Sequence, residues 1–246
     1  MSLPIQSESK QLTKEVRIER TFKRFTISQR WEHVALMVTS ALLLLTGLPQ
    51  KYRATTWSQQ ILATPERVEL IRNIHHITAI LLTLEVLYHL VNAILLMRQR
   101  RLPSAIFPSL EDLRDLGKMV KYLIFLSDQK PSYGKYNFEQ KFTYWFLVFA
   151  ILIMVVSGFI LWFPVFFTTF LPGGIIPAAK FAHSAEAIAG AAFIILWHFY
   201  HVHIERLNLS IFTGRLNEEE MREYHSLAYQ RLALDAKESA SVGEEE

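Results

Sequence analysis

The apolar stretch from Lys180 to Ile204, KFAHSAEAIAGAAFIILWHFYHVHI, constrains this chain most, because it carries His183 and His198 fifteen residues apart in a segment long enough to cross a membrane. Between the two lie the small residues Ala187, Ala189, Gly190, Ala191 and Ala192. On a straight helix, at 1.5 Å and ~100° per residue, the imidazoles sit ~22 Å apart along the axis and ~60° off a common face. That is the separation of two stacked haems. Neutral imidazole binds iron well, and a flat porphyrin edge lies against a helix only where side chains are small. Taken singly, each His reads as an ordinary polar residue at a membrane interface. Taken together they do not, because His is costly in hydrocarbon and other stretches offer matching partners.

The class follows from the rest of the chain. It has 246 residues, 51% of them hydrophobic, and contains no Cys. Its mean hydropathy is positive, at +0.18. A soluble domain of this size has little use for four long apolar blocks, and three of them span a ~30 Å hydrocarbon core without tilting. The expected fold is therefore an all-α integral membrane four-helix bundle. Without Cys there are no disulfides, no thiolate-held iron–sulfur cluster and no covalent haem attachment, so any haem is b-type and held by His. The net charge of +3 does not point to nucleic acid, since the basic residues flank the apolar blocks and anchor lipid head groups.

In chain order, residues 1–30 form a polar, basic arm with Lys10, Lys14, Arg17, Arg20, Lys23, Arg24 and Arg30. It lacks a small-residue cleavage pattern and reads as a retained arm. The first span runs from about Trp31 to Leu48, with His33 at its start and Gly47 to Pro49 at its end. A loop follows through Thr64 and Pro65, where Thr64 caps the way into a second span of roughly Ile71 to Met97. There Glu85 is the only formally charged side chain between Asn73 and Met97, among His75, His76 and His89. Residues 103–141 are a polar loop with one amphipathic piece, about 110–126, expected along the membrane surface. The third span, from near Phe142 to Phe163, has no His. The uncharged stretch FPVFFTTFLPGGIIP after it argues against a continuing helix and is expected to rest in the interface or on a partner. Residues 205–246 are a polar tail of helical character that ends in three Glu. No internal repeat appears, and one membrane domain, 31–204, suffices.

Lys and Arg set the expected orientation. The N-terminal arm has seven, the stretch from Arg98 to Lys141 nine and the tail five, against four in the first connecting loop and one, Lys180, in the second. With four spans the three basic segments share a side, and the positive-inside rule places them, with both termini, in the cytoplasm. This sorts the histidines into two depths. His33, His89 and His198 lie toward the inner face, and His75, His76 and His183 lie near the outer one. A zinc or copper site would need more ligands close together than either level supplies.

Five pieces in order resemble the cytochrome b subunit of bacterial formate dehydrogenases and related respiratory complexes. They are RWEH with the downstream TGLP, RNIHHITAI, KYNFEQKFTYW leading into VSGFILWFP, HSAEAIAGAAFIILWHFYHVH, and the tail segment FTGRLNEEEMREYH. The resemblance covers about residues 17–226, and its specificity lies in the ordered set. It implies two haem b groups in a four-helix bundle of the bacterial inner membrane. It further implies electron exchange with a quinone, menaquinone or ubiquinone, near the inner face, and contact with an extracytoplasmic redox partner near the outer one. Carried over by position, His75 and His183 are the outer haem's ligands, and His33 and His198 the inner haem's. The chain departs from the family pattern in three places: the adjacent His75 and His76, the presence of His89, and a spacing from His183 to His198 one residue longer than expected. The second and the wording HFYHVH are closer to cytochrome b subunits that accompany multihaem cytochromes, so the expected partner is an iron–sulfur or multihaem cytochrome c subunit.

Helical geometry leaves the inner pairing open. His75 and His89 are 14 residues apart, ~21 Å of rise and ~40° off the same face, so the second and fourth spans alone suffice for four ligands. His76 and His89 are ~220° apart and do not suit. Arg30, three residues before His33, and the family match favour His33. His89 then lines the quinone site, four residues from Glu85. Glu85, His89, His201 and His203 are the candidates for proton transfer to quinone, and Arg30, Arg72 and Lys180 for pairing with haem propionates. Rival readings are a stand-alone cytochrome b561-like carrier and a non-redox membrane anchor.

Overall fold

The computed structural model describes residues 21–100, 106–128, 136–204, 207–232 and 234. Lys10, Lys14, Arg17 and Arg20 of the basic arm, and the closing Glu residues of the tail, lie outside the described residues.

Three of the four long helices begin where a side chain accepts the N–H groups that a first turn leaves free, whereas the fourth starts at Gly174 without a side-chain cap. Helix α1 (Ile27–Lys51) opens on Thr26, whose hydroxyl accepts from the Gln29 N–H while the Gln29 side chain accepts from the Thr26 N–H. A short α2 (Thr56–Ile61) is tied back to α1 by the buried Ser58 hydroxyl, which donates to the Pro49 carbonyl. In α3 (Pro65–Arg98) Thr64 accepts from the Arg67 N–H, and Pro65 takes the first position, where a missing N–H costs nothing. After α4 (Leu110–Leu123), Asn137 and Gln140 cap α5 (Phe138–Trp162) reciprocally. A five-residue α6 (Pro164–Thr168) precedes α7 (Ile175–Phe193), which continues through two π-helical turns, Ile194–His198 and Tyr200–Ile204.

Four rods result: α1, α3, α5 and the α7 rod, with 25, 34, 25 and 30 residues, long and apolar enough to cross a membrane. About 20 residues cross a ~30 Å hydrocarbon core. α1 packs along α3, α5 along α7, and α1 also meets α7. The bundle is apolar outside and fine-grained inside. Leu45, Ile77, Leu81, Leu84, Phe149 and Leu152 are exposed, whereas Thr39, Thr46, Thr78, Ala150 and Ser157 are buried. Lipid tails give helices no hydrophobic reason to associate, so they approach through small residues. Three of the buried hydroxyls bond back to their own helices: Thr39 donates to Ala35 O at 2.8 Å, Thr46 to Leu42 O at 2.6 Å and Ser157 to Ile153 O at 2.5 Å.

Several boundaries differ from expectation. The first span runs Ile27–Lys51 rather than about Trp31–Leu48, with Pro49 inside the helix, and the second starts at Pro65 rather than near Ile71, its capped lead-in being continuous with the span. The third span starts at Phe138 rather than near Phe142, because Asn137 supplies a cap. The stretch after it is not wholly loop, since it contains α6 and the start of α7. Of its three prolines, Pro164 takes the first position of α6 and Pro177 the first turn of α7, where helices tolerate them, and Pro172 lies between the two helices.

The tail also holds more than helix. Residues 21–23 (β1) pair antiparallel with Arg215–Asn217 (β2), with Thr21 opposite Asn217 and Lys23 opposite Arg215. The ribbon is framed by α8 (Ser210–Thr213) and α9 (Glu218–Tyr224). The turn into β2 is Gly214, at φ +77°, a left-handed conformation that costs glycine little. The segment before α1 and the segment after α7 therefore meet on one side of the bundle.

Lys141, near the start of α5, holds both carboxylate oxygens of Asp112 on α4 at 2.7 and 2.9 Å. Partial burial opposes ionisation of Asp112, but the bonds from Lys141 and Ser109 outweigh it, and its carboxyl lies below the ordinary value of 3.8.

Candidate functional site

The α7 rod carries an imidazole toward each end, and each faces an imidazole from another helix. His198 faces His33 of α1, with ring centroids 6.2 Å apart and planes at 42°. His183 faces His75 of α3, at 6.4 Å and 69°. A ring nitrogen lies roughly 1.1 Å from its centroid and binds a metal at about 2.0 Å, so two imidazoles flanking one metal ion have centroids about 6.2 Å apart. Both pairs have that spacing.

The extra residue between His183 and His198 is taken up locally. The turn Ile194–His198 is π-helical and accommodates one more residue than an α-turn. This restores the phase of a 14-residue spacing, ~40° off a common face, where a straight α-helix would leave ~60°.

The two pairs sit in different surroundings. His75 packs against Gly47, where a Cβ would lie 3.2 Å from its Cε1, and its Nδ1 is 2.9 Å from the Thr46 hydroxyl. His183 repeats this arrangement. A Cβ on Gly158 would lie 3.2 Å from its Cε1, and its Nδ1 is 3.0 Å from the Ser157 hydroxyl. His33 has no such seat, and its Nδ1 is buried without a hydrogen-bond partner.

The other sequence candidates are placed as follows. His76 is turned to stack on Trp162 at 4.0 Å, with planes at 21°. His89 does not face His198. Its Nδ1 is 2.8 Å from Glu32 Oε2 and its Nε2 3.2 Å from the Tyr144 hydroxyl, and Glu32 also accepts from Ser28, 3.0 Å from Tyr88. Glu85 has one carboxylate oxygen buried without a hydrogen-bond partner. His201 stacks on Trp197 at 4.4 Å, with its Nδ1 buried and unpartnered, and His203 lies against Phe199. Arg30 runs beside Gly214, bracing the turn into β2, with its Nε buried and unpartnered. Arg72 and Lys180 are exposed.

Sequence reasoning missed Glu32, Tyr144, the Thr46-Gly47 and Ser157-Gly158 dipeptides, and Glu186, whose Oε1 is buried without a hydrogen-bond partner. The dipeptides did leave a signal, as a hydroxyl residue followed by Gly inside an apolar span. Glu186 left one as an acid three residues after His183.

The family model for prokaryotic cytochrome b561 matches residues 24–214. The chain belongs to the prokaryotic cytochrome b561 family. This cytochrome is a multi-pass protein of the prokaryotic inner membrane, its class is that of electron-transport proteins, and its family's cofactor is haem b. It is similar to the cytochrome b556(fdo) subunit of formate dehydrogenase from Escherichia coli, 25% identical over 190 residues, which are 73% of this chain and 78% of that one. The cytochrome b556(Fdn) subunit of the nitrate-inducible formate dehydrogenase of the same organism is 20% identical over 212 residues, 86% of this chain and 92% of its own. The formate dehydrogenase cytochrome b556 subunit of Haemophilus influenzae is 23% identical over 216 residues, 88% and 85% of the two chains.

The residues present fit haem b. Among the described residues no group of three or more His, Asp or Glu side chains could hold a metal ion. Two facing imidazoles are the donor set of an iron whose remaining positions are filled by porphyrin nitrogens. Gly47 and Gly158 keep the space beside His75 and His183 free of side chain.

Proposed function

We propose that this cytochrome carries two haem b groups, one between His33 and His198 and one between His75 and His183, and passes electrons across the membrane between a quinone and a redox partner subunit. The observation that carries the reading is the pair of facing imidazoles at each of two levels of one helix, both at the centroid spacing that one metal ion requires. Held by these imidazoles, haem would supply one-electron transfer.

The protein's own residues hold the imidazoles and handle protons. Quinone reduction takes up protons with electrons, and ionisable groups cluster by the His33–His198 level. There Ser28, Glu32, His89 and Tyr144 form a continuous hydrogen-bonded chain, with Glu85 on the same face of α3 as His89. His89 and Glu85 are the leading candidates to serve the quinone, menaquinone or ubiquinone. His201, whose Nδ1 is free, follows, with His203 beside it. Arg30, whose buried Nε has no hydrogen-bond partner, is the candidate to pair with a propionate of the His33–His198 haem, and Arg72 and Lys180 are the candidates at the other level.

The Lys and Arg bias supports a cytoplasmic position for both termini, and with them for the His33–His198 level at which the quinone is proposed. The similar proteins are subunits of formate dehydrogenases, which supports an extracytoplasmic redox subunit as partner, iron–sulfur or multihaem cytochrome c. Val165, Phe166 and Phe170, exposed between α5 and α7, form an uncharged face for it.

The test is the visible spectrum and haem content of the purified chain. Two noncovalent haems per chain, with a reduced b-type band, support the reading. One haem, or none, contradicts it. Copurification with a redox subunit separates a complex subunit from a stand-alone carrier.

A further inference from the structure

The seats of His75 and His183 are built alike on two different helices. The Thr46 hydroxyl lies 2.6 Å from Leu42 O and 3.3 Å from Leu43 O, and 2.9 Å from His75 Nδ1. The Ser157 hydroxyl lies 2.5 Å from Ile153 O and 3.4 Å from Met154 O, and 3.0 Å from His183 Nδ1. Each is followed by a glycine at the same 3.2 Å reach from the imidazole's Cε1. A hydroxyl has one proton. A carbonyl can only accept, so that proton is committed to the helix backbone four residues earlier, and the hydroxyl's lone pair is what meets the imidazole.

The contact is then possible in one sense only, Nδ1–H donating to the hydroxyl oxygen. That selects the tautomer with a bare Nε2, the nitrogen left to bind a metal. The Gly that follows lets the ring sit against the helix, where a methyl group would push it away.

We propose that Thr46 and Ser157 are positioning residues for the haem between His75 and His183. Each locks its imidazole in the Nδ1–H tautomer and, by accepting that proton's hydrogen bond, makes Nε2 a stronger donor to iron. A stronger donor favours the ferric state and lowers this haem's potential. The His33 Nδ1 has no acceptor, so the His33–His198 haem lacks this effect on its α1 side. The proposal rests on the haem assignment above.

The test compares the full-length wild type with Thr46→Val, Thr46→Ser, Ser157→Ala and Ser157→Thr in native membranes, by haem count, potentiometric titration and the low-spin ferric EPR spectrum. Thr46→Val and Ser157→Ala should raise the potential of one haem by about 59 mV, a tenfold change for one electron, and shift that haem's EPR signal while the other stays in place. Loss of that one haem counts the same way. The hydroxyl-keeping variants Thr46→Ser and Ser157→Thr should behave as wild type. Unchanged potentials and EPR signals in Thr46→Val and Ser157→Ala overturn the proposal, as does an equal shift in Thr46→Ser. A wild type lacking the His75–His183 haem overturns the assignment itself, and the seats with it.

Discussion

Glu32 on α1 holds the imidazole of His89 on α3, with 2.8 Å between Oε2 and Nδ1, while Tyr144 of α5 takes the ring's other nitrogen at 3.2 Å. Both nitrogens of His89 are thereby engaged one residue away, along α1, from the His33 that faces His198. His33→Ala should lose one haem per chain, and His89→Ala should keep both while slowing quinone turnover. Haem content by extraction checks it, and the reverse pattern would make His89 the ligand.

His76, adjacent to His75, is spent on Trp162 in a 4.0 Å stack. His76→Ala should keep both haems and cost about 1 kcal/mol of stability from the lost aromatic contact. Thermal unfolding in detergent, followed alongside the haem spectrum, separates this from ligation.

At Gly158 an added methyl group would lie 3.2 Å from the His183 ring, and at Gly47 the same distance from His75. Gly158→Ala and Gly47→Ala should each destabilise by about 1–3 kcal/mol through overpacking and broaden or remove one haem's EPR signal. Gly117, which has no atom within 4 Å of an added Cβ, is the control: Gly117→Ala should leave the spectrum unchanged.

Asp112 ionises below its ordinary value of 3.8, so its contribution is fully present above that pH and is lost as pH falls through the folded value. The junction between α4 and the start of α5 should therefore loosen in acid. Protease sensitivity of α4 should rise below about pH 4 in wild type, and Asp112→Asn should show the raised sensitivity already at neutral pH, with little further change in acid.

Much of this architecture was readable in one dimension. Apolar length marks spans because a bilayer sets a minimum length for a helix, and Thr64 announced the start of α3 because capping is a contact between residues three apart. The placement of His183 and His198 at two levels likewise needs only the rise of one helix. What lay beyond the sequence depends on how one helix registers against another. Whether His33 or His89 meets His198 turns on the rotation of α1 and α3, and 15 residues of straight α-helix leave His198 ~60° off the face of His183, which the π-helical turn Ile194–His198 changes to ~40°. The Thr46 and Ser157 seats were invisible for the same reason. Each hydroxyl is an unremarkable polar residue on its own helix, and only packing α1 on α3 and α5 on α7 brings it to an imidazole 29 and 26 residues away. Hydropathy and local hydrogen bonding are encoded residue by residue, whereas these pairings belong to the distances between helices, which only the packed bundle decides.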